Sequence, residues 1–274
     1  MGYIGERDGL DVVLSGLRRL EYRGYDSAGV AVPAPGGVQW RKRAGKIVNL
    51  EAEIAERPLP GSGTAIGHTR WATHGAPTDQ NSHPHVVGRI GIVHNGIIEN
   101  HNELRAQFDS EFASDTDSEV AAHLLAREVA GGATLIEAMR SVVGLLEGAF
   151  TLVAVDSEQP DRIVAARRNS PLVVGVGDGE YFLASDVSAF IAYTREAVEL
   201  GQDQIVELSR DGVRVTGFAG EPAQTRSFHV DWDLAAAQKQ GYDWYMRKEI
   251  FEQPKAVADT LLGRLNQRGE LQLD

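Results

Sequence analysis

Cysteine is missing from all 274 residues. Disulfides, thiolate metal sites and a cysteine nucleophile are therefore excluded within this chain. Basic residues are in the minority, with 27 Lys and Arg against 39 Asp and Glu and a net charge of −12. Phosphate binding is driven by clustered Lys and Arg, so this balance argues against nucleic acid. No apolar run approaches the roughly 18 residues that a bilayer span requires. The opening Met1–Asp8 has neither a basic start nor an apolar core, so no leader peptide is expected. Neither a GxxxxGKS/T loop nor a strand-linked GxGxxG occurs, and nothing cradles a nucleotide phosphate. No repeat of fixed period is present. The expectation is a cytoplasmic protein that takes no nucleic acid and no membrane.

What remains is 42% hydrophobic, enough for one large domain or one domain plus part of another. Asp8 opens a helical pattern in which Leu10, Val13, Leu14, Leu17 and Leu20 share a face. Ala28–Val32 and Val38–Arg41 read as paired strands joined through Pro33–Gly37, and Ile47–Ala55 as a short helix. Thr64–Thr69 and Ile90–Val93 are strand-like runs leading into polar motifs. Thr116-Asp117-Ser118-Glu119 has the form of a capping box ahead of a helix carrying Val120, Leu124, Leu125 and Val129. A second helix is expected over Leu135–Leu146. From Gly148 onward the texture turns to short strands, with Asp178-Gly179 and Asp211-Gly212 as hairpin signals. That order suits an α+β domain of antiparallel sheets covered by helices, not a doubly wound parallel sheet. The pattern weakens over Gly217–Phe228. Helical texture returns at Asp233–Gln240 and Val257–Leu265, which read equally well as a linker leading onward or as a docked C-terminal helix.

The densest chemistry lies in Gly67–Gly96, which holds five of the chain's eight histidines. A pocket for a small zwitterion, with a place to stabilise an oxyanion, accounts for that mixture. Arg70 has the planar fork that matches a carboxylate, with Thr73 and His74 nearby as further donors. An exposed Arg at a strand end beside a half-buried Trp is the plainer reading, and Trp71 suits pocket wall or core. Asp117 would receive an ammonium group, or simply favour a helix N-terminus through the dipole. Asn95 and Gly96 would form an oxyanion hole, or a type I′ hairpin turn. His83-Pro84-His85 suits a structural role better than a metal site, since no further ligand stands at motif spacing. Neither a metal nor a cofactor is expected.

Taken together, these residues resemble one family. Arg18-Arg19-Leu20-Glu21-Tyr22-Arg23-Gly24-Tyr25-Asp26-Ser27-Ala28-Gly29 is similar to the signature of the glucosamine-6-phosphate synthases (glutamine–fructose-6-phosphate aminotransferases). Gly67–Gly75, His83–His85 and His94–Asn100 follow that family's glutaminase domain in order. Tyr245–Pro254 resembles the segment that leads into its sugar-isomerase half, which also argues against a purine-pathway amidotransferase. The resemblance implies an N-terminal-nucleophile hydrolase fold, a four-layer αββα sandwich of two antiparallel sheets between helices. It implies a class II glutamine amidotransferase that hydrolyses L-glutamine and passes ammonia to fructose 6-phosphate. By that resemblance Arg70, Thr73 and His74 hold the glutamine carboxylate, and Asp117 with Gly96 holds its amino group. Asn95 and Gly96 stabilise the oxyanion, Trp71 lines the pocket, and Arg23 stands near the nucleophile. The glutaminase domain would span 1–219, and 220–274 would be a linker and the start of the sugar-isomerase half, in a full-length homodimer.

One departure governs the chemistry expected. The resemblance implies a domain that begins Cys-Gly-Ile-Val, and Met1 falls on that Val, three residues after the cysteine. A start codon assigned too late, with GTG for Val read as Met, would produce this. The chain as given is expected to bind glutamine without hydrolysing it. A non-catalytic glutamine-binding module is the alternative reading.

Overall fold

The computed structural model of the chain describes residues 1–72, 74–231, 242 and 244–261. One sheet contains β1 (Gly2–Ile4), β2 (Ser27–Ala34), β3 (Gly37–Ala44), β4 (Thr64–Arg70), β9 (Val173–Val176), β10 (Tyr181–Ala184), β11 (Glu196–Glu199) and β14 (Arg226–His229). Its spatial order is β14-β11-β9-β10-β1-β4-β2-β3. The other contains β5 (His85–Val87), β6 (Ile90–Ile98), β7 (Gly148–Asp156), β8 (Arg162–Arg168), β12 (Gln204–Ser209) and β13 (Gly212–Gly217), in the order β13-β12-β8-β7-β6-β5. Neighbouring strands in both sheets are antiparallel.

Strand β7 explains the layering. Side chains alternate across a strand, so Val153 and Val155 point into a core shared with Ile4, Ala31 and Ile66 of the other sheet. Phe150, Leu152 and Ala154 point the opposite way, into a second core with Val120, Leu124, Met139 and Val142. Those four belong to α4 (Glu119–Ala130) and α5 (Leu135–Val143). A strand buried on both faces reads as a near-continuous apolar run, as β7 does apart from Thr151 and the terminal Asp156. On the far side α1 (Gly9–Leu20) buries Val13 and Leu17 against Gly67 of β4; a Cβ there would lie 2.5 Å from Val13. α2 (Ile47–Glu56) completes that layer, and α3 (His101–Arg105) precedes α4. The result is the αββα sandwich that the resemblance implied.

Two local expectations change. Thr116–Glu119 is not a capping box: α4 begins at Glu119, and its preceding residue makes no side-chain cap. Thr116 Oγ1 instead meets His85 Nε2 at 3.1 Å, and Glu119 accepts from the backbone of Ala113 and Ser114 at 2.8 and 2.6 Å. The capping box that forms is Thr134 with Glu137, at the start of α5. Asn95-Gly96 is not a hairpin turn, because β6 runs straight through it to Ile98 in register with β7.

Met1–Asp231 forms one compact unit and 232–274 another. Within the second, α6 (Tyr245–Leu261) carries Pro254 inside the helix and exposes Met246, Ile250 and Phe251. The helix expected at Asp233–Gln240 lies outside the described residues, as does 262–265 of the last amphipathic stretch.

Candidate functional site

The end of β4, the middle of β6 and the loop before α4 converge on one cavity of about 230 Å³. That is below the roughly 300–1,000 Å³ of pockets for drug-sized ligands and suits a metabolite of amino-acid size. Its walls include Arg70 and Trp71 from β4 and the residue after it, Asn95 and Gly96 from β6, and Asp117 from the loop; Arg23 also reaches it. Sequence positions spread over almost a hundred residues thus share one wall.

Asp117 is 3% exposed. Its Oδ2 accepts from the backbone of Ile98 at 2.8 Å, and Oδ1 accepts from Ser118 Oγ at 3.3 Å. The carboxylate is therefore tied to the end of β6, with lone-pair capacity left on Oδ1. Asp117 stands outside α4, which starts two residues later, and its hydrogen bonds go to Ile98 and Ser118 Oγ.

Arg70 is buried, and its guanidinium donates to the carbonyls of His74, Gly75 and Ala76, the last two at 3.3 Å. Burial lowers its pKa, and Asp26 and Asp117 oppose that shift. The fork thus gathers the following loop around itself while facing the cavity. Asp26 fastens the same segment: its carboxylate accepts from the backbone of Ala72, and its own N–H donates to Arg70 O at 3.2 Å. Trp71 is 62% exposed at the mouth, edge-on to Tyr25 with centroids 5.6 Å apart. It is neither core nor stacked on a buried partner. Arg23 pairs with Asp186 at 2.9 Å at the rim. His74 stands back from the cavity wall, with its ring against His101 at 5.8 Å. Thr73 lies outside the described residues.

Gly96 takes φ +124°, and a Cβ there would sit 2.0 Å from the carbonyl oxygen of Ala149. Only glycine fits this backbone. Behind Asn95, His68 Nε2 meets Asn95 Oδ1 at 2.6 Å, a bond that joins the two sheets. Met1 lies on the cavity floor with its amine 2.6 Å from Gly67 O, and burial lowers that amine to about 5.

His83 and His94 also line the cavity, and both are hydrogen-bonded into the protein. His94 donates its backbone N–H to His83 Nδ1 at 3.3 Å, which leaves the proton of neutral His83 on Nε2, 3.1 Å from Ser118 Oγ. His94 Nδ1 lies 2.8 Å from the same hydroxyl. Burial lowers the pKa of His83 and His94, and brings His68 and His85 to about 3. His68, Ser118 and Asp26 escaped the sequence reading as site residues. The crowding of histidines signalled the first; Ser118 looked like part of a helix cap, and Asp26 like a loop residue.

The chemistry available is bipolar. A guanidinium and a carboxylate line one small cavity, with an Asn amide and a glycine backbone along the wall between the two sheets. A group with an ammonium, a carboxylate and a polarisable carbonyl matches that arrangement.

Comparison with known proteins bears on this match. The family model described as "Glutamine amidotransferase domain" matches residues 68–192. A glutamine–fructose-6-phosphate aminotransferase (isomerizing) of Streptomyces coelicolor is 67% identical over 279 residues, covering 100% of this chain and 45% of that protein. Its counterpart in Corynebacterium efficiens is 57% identical over 287 residues, covering 100% and 46%. The chain thus spans about half the length of the curated relatives it matches. Among solved structures, a glutamine phosphoribosylpyrophosphate amidotransferase from B. subtilis superposes with a TM-score of 0.68 at 23% identity, over 81% of this chain and 49% of that one. A structure titled as the allosteric regulatory enzyme of purine biosynthesis gives 0.68 at 25% identity, over 79% and 48%.

Proposed function

We propose that the chain carries a glutamine amidotransferase domain of the class II, N-terminal-nucleophile type, and that its cavity is an L-glutamine site. Asp117 receives the α-ammonium group together with Gly96. Arg70 holds the α-carboxylate, the role that the resemblance extends to Thr73 and His74. Asn95 and the Gly96 backbone face the side-chain amide, where negative charge would grow on oxygen during attack. Trp71 closes the mouth, and Arg23 lies beside the position of the attacking group. The observation that carries this reading is that Asp117 and Arg70 line the same small cavity.

The relatives' names supply the wider proposal. This chain corresponds to the amide-hydrolysing part of a glutamine–fructose-6-phosphate aminotransferase, with residues 1–219 binding glutamine and 220–274 leading to a sugar-isomerase half. That enzyme would work as a cytoplasmic homodimer and deliver ammonia to fructose 6-phosphate.

The 274 residues contain no cysteine, so this polypeptide brings no thiol to the amide. It is expected to release no ammonia from glutamine above a protein-free control. Replacing Met1 by Cys-Gly-Ile-Val supplies a thiol and an α-amine of pKa about 7.7–8, suited to act as its base. Ammonia release by that variant supports an enzyme half. A folded variant that binds glutamine but stays inactive supports a binding module instead.

A further inference from the structure

We infer that His68 is a positioning residue that sets which way the Asn95 carboxamide faces, an inference that rests on the oxyanion reading of Asn95. An Asn side chain has a carbonyl end and an amide end, and only the amide end stabilises negative charge. Turned around, the same side chain would present its carbonyl to a growing oxyanion and repel it. Some neighbour has to choose between the two orientations.

His68 is placed to make that choice. It sits in the middle of β4, with Gly29 of β2 opposite it, and its ring lies 4.4 Å from that of His83 at 37°. Its Nε2 is 2.6 Å from Asn95 Oδ1, while its Nδ1 is buried without a hydrogen-bond partner. Burial keeps the imidazole neutral, with a pKa of about 3. A neutral imidazole has one N–H. Buried N–H groups without a partner are rarer than bare acceptors. The proton therefore belongs on Nε2, and Nε2–H donates to Asn95 Oδ1. The carboxamide is planar, so its Nδ2 group is turned away from His68. Nδ2 makes no hydrogen bond among the described residues, and Asn95 lines the cavity. The amide hydrogens are thus left for a ligand oxygen.

Two measurements test this. Long-range proton–nitrogen NMR of the unmodified chain should find His68 protonated on Nε2 with Nδ1 bare; protonation on Nδ1 overturns the inference. Calorimetry should then compare L-glutamine with the phosphonate analogue of glutamate, whose tetrahedral anionic group mimics the charged intermediate. In His68→Leu the phosphonate should weaken by about tenfold while glutamine changes by about twofold or less, and His68→Gln, which keeps an amide donor, should restore the phosphonate. Equal losses for both ligands, or no rescue by Gln, overturn the role of His68. If the unmodified chain binds neither ligand, the glutamine-site reading falls, and this role falls with it.

Discussion

Asp117 is held by the backbone of Ile98 and by Ser118 Oγ, and it lines the cavity. Asp117→Asn preserves shape and removes charge, so it isolates the ammonium contact. A hydrogen bond to a charged group contributes about 1.5–3 kcal/mol, which predicts roughly a ten- to hundredfold loss of glutamine affinity with little change in melting temperature. Unchanged affinity by calorimetry would remove Asp117 from the site. From residue types alone this acid was indistinguishable from one serving a helix dipole. The structure adds that Asp117 lies outside α4, bonds to Ile98 and lines the cavity, and three-dimensional competition for Thr116 and Glu119 sets where the helix starts. Arg70 was legible by its chemistry, whereas its grip on the carbonyls of His74, Gly75 and Ala76 was not, since nothing local encodes it.

At the scale of elements, β6 is where fold and site meet. Its alternating residues feed both cores, and Gly96 lets it pass close to Ala149. Gly96→Ala places a methyl group against backbone at an unfavourable φ, so it should cost roughly 2–5 kcal/mol through strain and overpacking. Chemical denaturation would measure this, and a loss below half a kcal/mol would contradict the geometry. Strands with apolar alternation or a two-residue turn, such as β9 with β10 and β12 with β13, were readable from sequence. β11, with Glu-Ala-Val-Glu, and β14, with Arg-Ser-Phe-His, were not. They are short, polar and near or at the sheet edge, where burial imposes little pattern. Asn95-Gly96 misleads for the opposite reason, because the same dipeptide serves a tight turn or a glycine-dependent strand crossing.

For the molecule as a whole, the sandwich stores four buried neutral histidines, His68, His83, His85 and His94. Each has a folded pKa lowered from 6.5, chiefly by burial. The unfolded chain therefore binds more protons below that value, and stability falls with acid at up to about 1.4 kcal/mol per pH unit for each histidine. Glu119 adds to the loss lower down. Burial raises its carboxyl, but hydrogen bonds from His123, Ser114 and the Ala113 and Ser114 backbone outweigh this and hold it at about 2. Its contribution is complete above its unfolded pKa and fades as pH drops toward the folded one. Denaturation midpoints should fall steadily from about pH 6.5 to pH 4; a flat profile would mean that the histidines are not buried as described.

The most direct measurement of the central claim is titration calorimetry of the unmodified chain with L-glutamine. The account predicts saturable binding at one site, retained without any release of ammonia and sharply weakened in Asp117→Asn. Absence of binding by a folded chain, or binding indifferent to Asp117, would contradict it.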